Sequence, residues 1–424
     1  MIIVNNQQSF VMRFFIVAAM FIVAAVFSSC SHDDGPNYNT DFVPSRTVMV
    51  YMVAESNMAD YLNSDIKEML NGLRQEEFYP NDRIVFYVDD LGLPRIYVAD
   101  CNTKAISLAS MELVKTYDPD LNSASAEQLG EFFRFVKKNY KADSYGLVMW
   151  SHGSGWVSST YSGDYAAPMR KSFGIDNGKN STSLEGHQMN IDDMARVLED
   201  EGGVDFIFFD ACFMQCVELA YELRNATPYI IASPAEIPGA GANYETMVPA
   251  MFRKDYVDQM LNAYYERYCV DYTTGIVISS VNTAAMEGFA AYMKQVIAKY
   301  RDSLLEADYT DVLDYYRYGR RDRFYYTKWG TEYPDYYDMR GVMKNVLSEE
   351  DYAEWLEEAQ KVVTYLTAGF WYSGYPGGFR PYPIDEEQCC GMSMFVPMEK
   401  YDSSIPNFRE DYYSSSWAQD VWEN

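Results

Sequence analysis

The sequence has few basic residues, few histidines and no low-complexity tract or internal repeat. It contains 34 Lys and Arg against 62 Asp and Glu, which gives a net charge of −28. This charge argues against a basic surface that could bind nucleic-acid phosphates or anionic lipids. Nucleic acid is therefore excluded as an expected partner. Apolar residues make up 48% of the 424 positions, which indicates a chain that folds around a hydrophobic core, as one large domain or two.

Cysteine and long apolar runs are also scarce. The 7 Cys are irregularly spaced in a chain long enough not to need a disulfide framework, so we predict none and expect Cys389 and Cys390 to be buried strand residues. An unbroken apolar run covers residues 14–27. It is too short to span a membrane and is typical of a secretory signal peptide.

The residues around this run predict export. Arg13 precedes it, and Ser28-Ser29-Cys30 ends it in a pattern that resembles a bacterial lipoprotein cleavage site, where Cys30 is lipidated. The acidic residues that follow resemble the export tag of Bacteroidetes surface lipoproteins. We therefore predict a signal peptide at 1–29, a lipidated tether at 30–45 and an outer-membrane anchor, with the protein either periplasmic or surface-exposed and touching the membrane only through its lipid.

From residue 46 onward, short apolar strands alternate with helical patterns. The predicted strands are 47–54, 83–88, 145–150, 204–209, 229–233 and 275–281, and the predicted helices are 58–73, 127–139, 191–199 and 214–223. This alternation predicts an α/β fold, a doubly wound and mostly parallel sheet flanked by helices, with right-handed crossovers.

The chain is predicted to have a core at 46–284 and an appended C-terminal part at 285–424. The C-terminal part is helical at first, is rich in Tyr at 309–337 and has a last candidate strand at 391–396. We expect it to complete the sheet and to cover it.

Two residues at the ends of predicted strands point to thiol chemistry. His152 lies two residues beyond the third strand and Cys212 three beyond the fourth, where functional groups of α/β sheets gather. Cys212 also precedes a helix predicted to begin near residue 214, and both a helix N-terminus and an imidazole lower the pKa of a thiol. Only 3 His exist, and His32 lies in the tether. We predict Cys212 as the nucleophile and His152 as its base.

An oxyanion in this site also requires hydrogen-bond donors. The amides of Gly153 and Cys212 are the predicted pair, because a glycine lets the backbone approach a substrate carbonyl closely. The alternatives are a buried Cys212 beside a loop histidine, or a Zn²⁺ site built from Cys212, Cys216, His152 and His187. The histidine spacing fits no compact zinc motif, so we predict no metal ligand and expect Cys216 in the core.

Several stretches resemble the clostripain family of cysteine peptidases. YGLVMWSHGSGW at 145–156 is similar to its histidine motif, and FIFFDACFMQCVELAYEL at 206–223 to its nucleophile motif. Further similar stretches are TVMVYMVAESNM near the start, 230–244 and 391–397, so the resemblance covers most of the mature chain. It implies a caspase-like fold shared with gingipains and legumains, a Cys/His dyad and endopeptidase activity on polypeptides.

The resemblance also implies specificity and maturation. Family members cut after Arg or Lys, and Asp210 of the Asp-Ala-Cys motif is the natural partner of that cation, with helix capping as its alternative role. Members are activated from a zymogen by self-cleavage between the His and Cys motifs, where Arg170-Lys171 is the candidate site. The stretch SPAEIPG at 233–239 is less acidic than the family pattern, which bears on substrate preference.

The sequence leaves open whether the protein needs a cofactor, and it is compatible with two other functions. Some clostripain-like enzymes depend on calcium, but the sequence contains no compact calcium loop and requires no cofactor. One alternative is a non-catalytic surface lipoprotein that binds glycan or protein through its Tyr-rich C-terminal part. The other keeps the fold but prefers Asp or Asn, which Asp210 would repel. The leading prediction is a monomeric cysteine endopeptidase.

Overall fold

The structure is a computed structural model that describes residues 41–157, 172–178, 181–182, 186–268, 275–316, 335–373, 380–402 and 407–423. The predicted signal peptide, Cys30 and the Arg170-Lys171 pair lie outside these ranges. None of the helices within them is both long and apolar enough to cross a membrane.

Strands and helices alternate through the first half of the described chain. They are β1 (Arg46–Val53), α1 (Ala59–Gly72), β2 (Arg83–Asp89), β3 (Arg95–Asp100), β4 (Glu112–Thr116), α2 (Ala126–Asn139), β5 (Ser144–Trp150), β6 (Phe173–Asp176), β7 (His187–Met189), α3 (Ile191–Asp200) and β8 (Phe206–Asp210). Each predicted strand and helix of this half is present, with its ends shifted by one or two residues.

The second half is richer in helices. It contains α4 (Val217–Glu222), β9 (Tyr229–Ala232), α5 (Tyr244–Phe252), α6 (Tyr256–Glu266), β10 (Val277–Asn282), α7 (Met286–Glu306), β11 (Tyr337–Asp338), α8 (Met339–Val346), α9 (Glu349–Ala359), β12 (Val363–Thr367), β13 (Phe370–Ser373), β14 (Arg380–Pro383), β15 (Ser393–Met394) and α10 (Phe408–Tyr413).

One nine-stranded sheet organises the molecule, in the order β12-β10-β9-β8-β5-β1-β2-β3-β4. The five strands from β9 to β2 are parallel to their neighbours, and antiparallel strands flank them on both sides. The predicted α/β sheet is therefore confirmed, with mixed edges. β2 lies on one side of β1 and β5 on the other, so the strand order reverses there, and ligands of such sheets bind beside this switch point.

Apolar cores fill both faces of the sheet. Side chains of β1 alternate between them, with Met49, Tyr51 and Val53 in one core and Val48 and Val50 in the other. The first core packs against α2, α3 and α7, and the second against α1, α5 and α6. Burial on both faces explains why the central strands are nearly continuous apolar runs in the sequence.

The C-terminal part belongs to the same body as the core, because residues 40–424 form one compact unit. β12 pairs with β10 and extends the sheet, as expected. Tyr309, Tyr315, Tyr336 and Tyr337 are all buried, so the described part of the Tyr-rich segment packs into the core rather than offering an exposed aromatic surface.

Several boundaries differ from the prediction. The fold begins before residue 46, because Phe42 is buried and the N–H of Val43 donates to Phe252 O at 2.7 Å. The strand predicted at 391–396 is only the two-residue β15, paired with β11. Cys389 and Cys390 are buried as expected but lie outside the strands, and none of the five described cysteines is in a disulfide.

Candidate active site

The pairing of β5 with β8 brings the two predicted catalytic residues together. These strands are parallel neighbours, and Trp150, the last residue of β5, lies opposite Asp210, the last residue of β8. His152 and Cys212 therefore each follow two residues beyond equivalent strand ends, on strands about 4.8 Å apart. Both side chains are half-buried. They lie in adjacent loops at the carboxyl edge of the sheet, close to the switch point.

The His152 loop is held by the structure on both sides. Its Nε2 lies 2.6 Å from Asn57 Oδ1, in the loop that follows β1. An amide oxygen only accepts, so with this orientation Nε2 carries the proton and Nδ1 is the basic atom of the neutral ring. The Ser151 hydroxyl donates to Val53 O at 2.6 Å, and His152 O accepts from Gly174 N at 2.9 Å. These contacts hold the loop between β1 and β6, and the contact with Asn57 Oδ1 favours the tautomer with the proton on Nε2.

Gly153 lets the two catalytic loops touch. A Cβ atom at this position would lie 2.8 Å from Cys212 O and 2.7 Å from Met214 Sδ, closer than a real side chain tolerates. The predicted reason for this glycine was close approach to a substrate. The structure adds a second reason, since any side chain here would push the histidine loop away from the cysteine loop.

Cys212 lies in a turn, and the prediction that a helix N-terminus activates it is wrong. The helix α4 begins only at Val217, with Cys216 as its N-cap. The intervening segment pairs with residues 233–235 instead, through Phe213 N to Ala235 O at 2.9 Å. This pairing draws the chain into an extended path, which is incompatible with a helix starting at Met214.

A backbone amide takes the place of the helix as a donor to the sulfur. The N–H of Ile237 donates to Cys212 Sγ at 3.5 Å. A donor in this position favours a negatively charged sulfur, because it stabilises the thiolate more than the thiol.

The residue after the nucleophile has a strained backbone. Phe213 has φ of +62°, a left-handed conformation that bulky residues rarely adopt. Its ring is held against Tyr336, with centroids 4.9 Å apart, and Gly155 packs so closely that a Cβ there would lie 2.7 Å from Phe213 O. Strain of this kind concentrates at functional loops, where the surrounding packing maintains it.

Asp210 is buried beneath the segment that also contacts the nucleophile. Its Oδ2 accepts from the Tyr244 hydroxyl at 2.6 Å and from Ala242 N at 3.0 Å. Its Oδ1 is buried and has no hydrogen-bond partner among the described residues. Burial raises the pKa of Asp210, while these two donors and the charge of Arg267 oppose the rise. One oxygen of this carboxylate is therefore left to bind a further group.

Gly241 packs directly against the Asp210 carboxylate, where a larger residue would not fit. Its φ is +53°, and a Cβ there would lie 2.5 Å from Asp210 Oδ2. The stretch that contains it, 233–244, follows β9 and forms the wall between the nucleophile and the buried acid. Its first part, residues 233–239, is the stretch that is less acidic than the family pattern.

A second buried acid, Asp65, was missed by the sequence analysis. It accepts from Trp150 Nε1 at 2.8 Å, and burial together with the charge of Asp210 raises its pKa to about 8. The signal was present, because Asp65 stands between Leu62 and Ile66 on the buried face of α1. A carboxylate in an apolar stripe is rarely there without a partner. Asn57 was missed for a different reason, since a lone polar loop residue has no periodicity.

Tyr372 of β13 borders the nucleophile from the C-terminal part. Burial raises its pKa above the usual range, and the charges of Glu236 and Cys212 act in the same direction. The C-terminal part therefore contributes to the wall of the site as well as to the sheet.

The alternative zinc ligands are not brought together. Cys216 is fully buried beside Glu218, whereas His187 is exposed on β7. Among the described residues, the group with the spacing of metal ligands is a different one, Glu55, Asp89 and Asp176. The expectation that Cys216 belongs to the core is confirmed.

Comparison with known proteins agrees with this geometry. A model of the clostripain family matches residues 50–424, a range that includes both catalytic loops and most of the sheet. Clostripain from Hathewaya histolytica is 26% identical over 222 residues, which are 47% of this chain and 40% of that protein. The match thus spans less than half of that relative.

Two solved structures share the fold over nearly their whole length. An inactive zymogen of a C11 protease from Parabacteroides distasonis is 26% identical, with a TM-score of 0.71 over 89% of this chain and 98% of its own. A secreted C11 cysteine protease from Bacteroides thetaiotaomicron, in complex with an irreversible peptide inhibitor, is 27% identical, with a TM-score of 0.71 over 89% and 99%.

Proposed function

The chain belongs to the clostripain family of cysteine peptidases, and from that premise we propose that it is a monomeric cysteine endopeptidase with Cys212 as nucleophile and His152 as acid and base. The observation that carries the proposal is the register of β5 and β8, which places both residues two steps beyond paired strand ends. The alternative of a glycan-binding lipoprotein has no such support, since four of the five described tyrosines of 309–337 are buried and Tyr316 is half-buried.

The mechanism follows from the contacts of the two loops. His152 takes the proton of the Cys212 thiol, and the thiolate attacks the carbonyl carbon of the scissile bond. The amides of Gly153 and Cys212 donate to the oxyanion that forms. His152 then protonates the leaving amine, and water activated by the same imidazole hydrolyses the acyl-enzyme. Asn57 holds the ring in the tautomer that these proton transfers require.

Specificity for Arg or Lys is the finer part of the proposal. A substrate cation would pair with Asp210, whose Oδ1 accepts no hydrogen bond from the described residues. An Asp side chain of a substrate would meet a carboxylate instead, which disfavours the same-fold peptidase with Asp or Asn specificity.

Self-activation by cleavage at the Arg170-Lys171 pair fits this specificity. Both residues lie outside the described ranges, and the chain resumes at Ser172, whose carbonyl accepts from Ser154 N at 3.2 Å in the histidine loop. A cut beside Ser172 would thus act next to His152. The similar chain from Parabacteroides distasonis is described as an inactive zymogen, which is consistent with maturation by cleavage.

Export to the outer membrane, with a lipid on Cys30, remains our proposal for the location. It rests on the apolar run before Cys30 and on the similar chain from Bacteroides thetaiotaomicron, which is described as secreted. Radiolabelled palmitate should appear in the wild-type protein and not in Cys30→Ala. Equal labelling of both would contradict the anchor.

The function is tested with fluorogenic peptides ending in Arg, Lys, Asp or Asn, together with mass spectrometry of the purified chains. We expect cleavage after Arg and Lys by the wild type, none by Cys212→Ala, and a cut near Arg170-Lys171 in the wild type alone. Cys101→Ala is the matched control, because Cys101 follows β3 at the opposite edge of the sheet.

Full activity in Cys212→Ala would contradict the mechanism. Dependence on Cys212 with cleavage only after Asp or Asn would keep the mechanism and overturn the specificity. No turnover by the intact chain, followed by activity after a trypsin nick, would identify a zymogen that another protease activates.

A further inference from the structure

Tyr264 of α6 lies on the same face of the sheet as Asp210. Alternate residues of β8 point to opposite faces, so Asp210 shares its face with Phe206 and Phe208. These two phenylalanines belong to the core that packs against α1, α5 and α6. The Tyr264 ring packs edge-on against Phe208, with centroids 6.0 Å apart. Tyr264 is therefore next to the strand end that carries the buried acid.

Three buried tyrosines lie around Asp210, and they differ in what their hydroxyls bind. The Tyr244 hydroxyl donates to Asp210 Oδ2 at 2.6 Å. Tyr268 comes four residues after Tyr264, with ring centroids 5.3 Å apart, and its hydroxyl donates to Gly241 O beside the same carboxylate. The Tyr264 hydroxyl is buried and has no hydrogen-bond partner among the described residues. Two of the three hydroxyls are thus used by the fold, and the third is not.

Asp210 and Tyr264 each keep one buried polar atom unused. Asp210 Oδ1 and the Tyr264 hydroxyl oxygen both lack a partner in the described part of the chain, so they are not bonded to each other. Burial raises the pKa of the Tyr264 hydroxyl well above its usual value, and the charges of Tyr268, Asp210 and Cys212 act in the same direction. The two unused atoms therefore lie in one region, close to the nucleophile.

The cation of this region is hydrogen-bonded to other groups. Arg267 opposes the rise in the pKa of Asp210 through its charge. Its Nη1 donates to Glu68 Oε2 at 3.1 Å and to Ala242 O at 2.9 Å. Unpaired polar atoms destabilise a protein interior, so a buried carboxylate oxygen and a buried hydroxyl without partners mark a place where a ligand group or a water molecule binds. The pair of Asp210 Oδ1 and Tyr264 suits a cation that carries several donors.

We propose that Tyr264 selects Arg over Lys at the substrate residue before the scissile bond, an inference that rests on the proposed peptidase function. A guanidinium is a planar fork with five N–H donors, so it can donate to Asp210 Oδ1 and to the Tyr264 hydroxyl oxygen together. An ammonium carries its three donors on one atom and pairs with the carboxylate as a point charge. Asp210 thus attracts either cation, and Tyr264 distinguishes between them.

The kinetic test compares two fluorogenic peptides that differ only in having Arg or Lys before the scissile bond. Tyr264→Phe should lower kcat/KM for the Arg peptide by ~10-fold and for the Lys peptide by less than ~3-fold, because only the guanidinium loses a hydrogen bond. The Tm and the rate at which iodoacetamide alkylates Cys212 should not fall, since the lost hydroxyl has no partner among the described residues. An equal loss on both peptides, or no loss on either, would overturn the proposal.

Tyr256→Phe is the matched control on the same helix. The Tyr256 hydroxyl donates to Asp205 O at 3.0 Å, just before the start of β8 and so at the opposite end of that strand from Asp210. This variant should keep the wild-type ratio of kcat/KM for the Arg and Lys peptides. A similar fall in the ratio in Tyr256→Phe would show that the effect is not specific to the hydroxyl beside Asp210, and it would overturn the assignment to Tyr264.

A binding measurement separates this inference from the proposed function. Calorimetry of product peptides ending in Arg or Lys against the Cys212→Ala protein repeats the comparison without turnover. Tighter binding of the Arg peptide, lost when Tyr264→Phe is added, would support the inference. If the wild type then cleaved neither peptide, only the proposed function would fail. Equal affinities for the two peptides, or binding of neither, would overturn the inference.

Discussion

The nucleophile segment contains two copies of the same residue pair, and they behave differently. Asp210 and Cys212 come first in the segment, and Cys216 and Glu218 follow them. Both acids are buried with one satisfied and one unsatisfied oxygen. Cys212, however, is half-buried with an amide donor on its sulfur, whereas Cys216 is fully buried beside a carboxylate. Exposure and the sign of the neighbouring charge, rather than residue type, separate a reactive thiol from a core thiol.

The largest expected difference between the two pairs is in alkylation. Iodoacetamide should modify Cys212 at least ~10³-fold faster than Cys216 in the folded protein, because burial and the charge of Glu218 raise the pKa of Cys216 well above its usual value. Peptide mapping by mass spectrometry over time gives both rates. Cys216→Ala should leave the Cys212 rate unchanged, and comparable rates at the two thiols would remove the distinction.

The two acids should differ in their effect on substrate recognition. Asp210→Asn should lower kcat/KM for an Arg peptide by ~10², since it removes a charge-assisted pair worth about 3 kcal/mol. Glu218→Gln should change it less than ~3-fold, because Glu218 is buried in the core, where it accepts from Phe395 N at 2.8 Å. Steady-state kinetics with Arg and uncharged peptides measure both. An equal loss of kcat/KM on the Arg peptide and the uncharged peptide would show that Asp210 does not recognise the substrate charge.

Glu218 should instead set the pH dependence of stability. Burial raises its pKa from 4.5 to about 7, so between these values the folded state binds more protons than the unfolded state and the free energy of unfolding falls as pH rises. The Glu218→Gln variant has no carboxyl group at this position, so its free energy of unfolding does not fall in this way as pH rises. We expect the variant to be more stable than the wild type by about 2 kcal/mol at pH 8 and equal to it near pH 4.

Urea unfolding across this pH range measures the effect of Glu218. Glu199→Gln is the control, because Glu199 is exposed on α3. Parallel pH profiles for the wild type and Glu218→Gln would contradict the assignment of the raised pKa to Glu218.

The smallest expected effect concerns His152, the base proposed for Cys212 but not for Cys216. Asn57→Ala should lower kcat by ~10-fold with little change in KM, because it frees the His152 ring to adopt the other tautomer. The alkylation rate of Cys212 should fall at the same time, toward that of Cys216. Asn57→Asp, whose carboxylate also accepts a hydrogen bond from Nε2–H, should restore much of the rate and raise the pKa read from the pH profile. An unchanged profile in both variants would mean that Asn57 does not hold the ring.

The central strands were predictable because both of their faces are buried. β1, β5 and β8 are apolar along almost their whole length, so the positions of His152 and Cys212 beyond their ends could be counted from the sequence. β4 was missed for the opposite reason. It is an edge strand with the sequence ELVKT, mostly exposed, and it has no apolar pattern to detect.

Some features of the structure depend on tertiary contacts and could not be predicted from local sequence patterns. Residues 214–223 have apolar residues at helical spacing, yet Phe213 and Gln215 pair with residues 233–235 and delay the helix to Val217. The group of Glu55, Asp89 and Asp176 was equally hard to predict, because its members are separated by tens of residues and meet only in the folded chain. Local periodicity predicts elements, and it does not predict which loops touch.

The position of the Arg170-Lys171 pair between β5 and β8 has a consequence for any molecule cut there. One fragment would carry β1 to β5 and His152, and the other β8, β9, β10, β12 and Cys212. β5 and β8 are adjacent strands joined by five residue pairs, from Gly146 with Phe206 to Trp150 with Asp210. Both fragments would therefore share one sheet and elute together on gel filtration, separating only under denaturation, and neither alone would possess a complete catalytic pair.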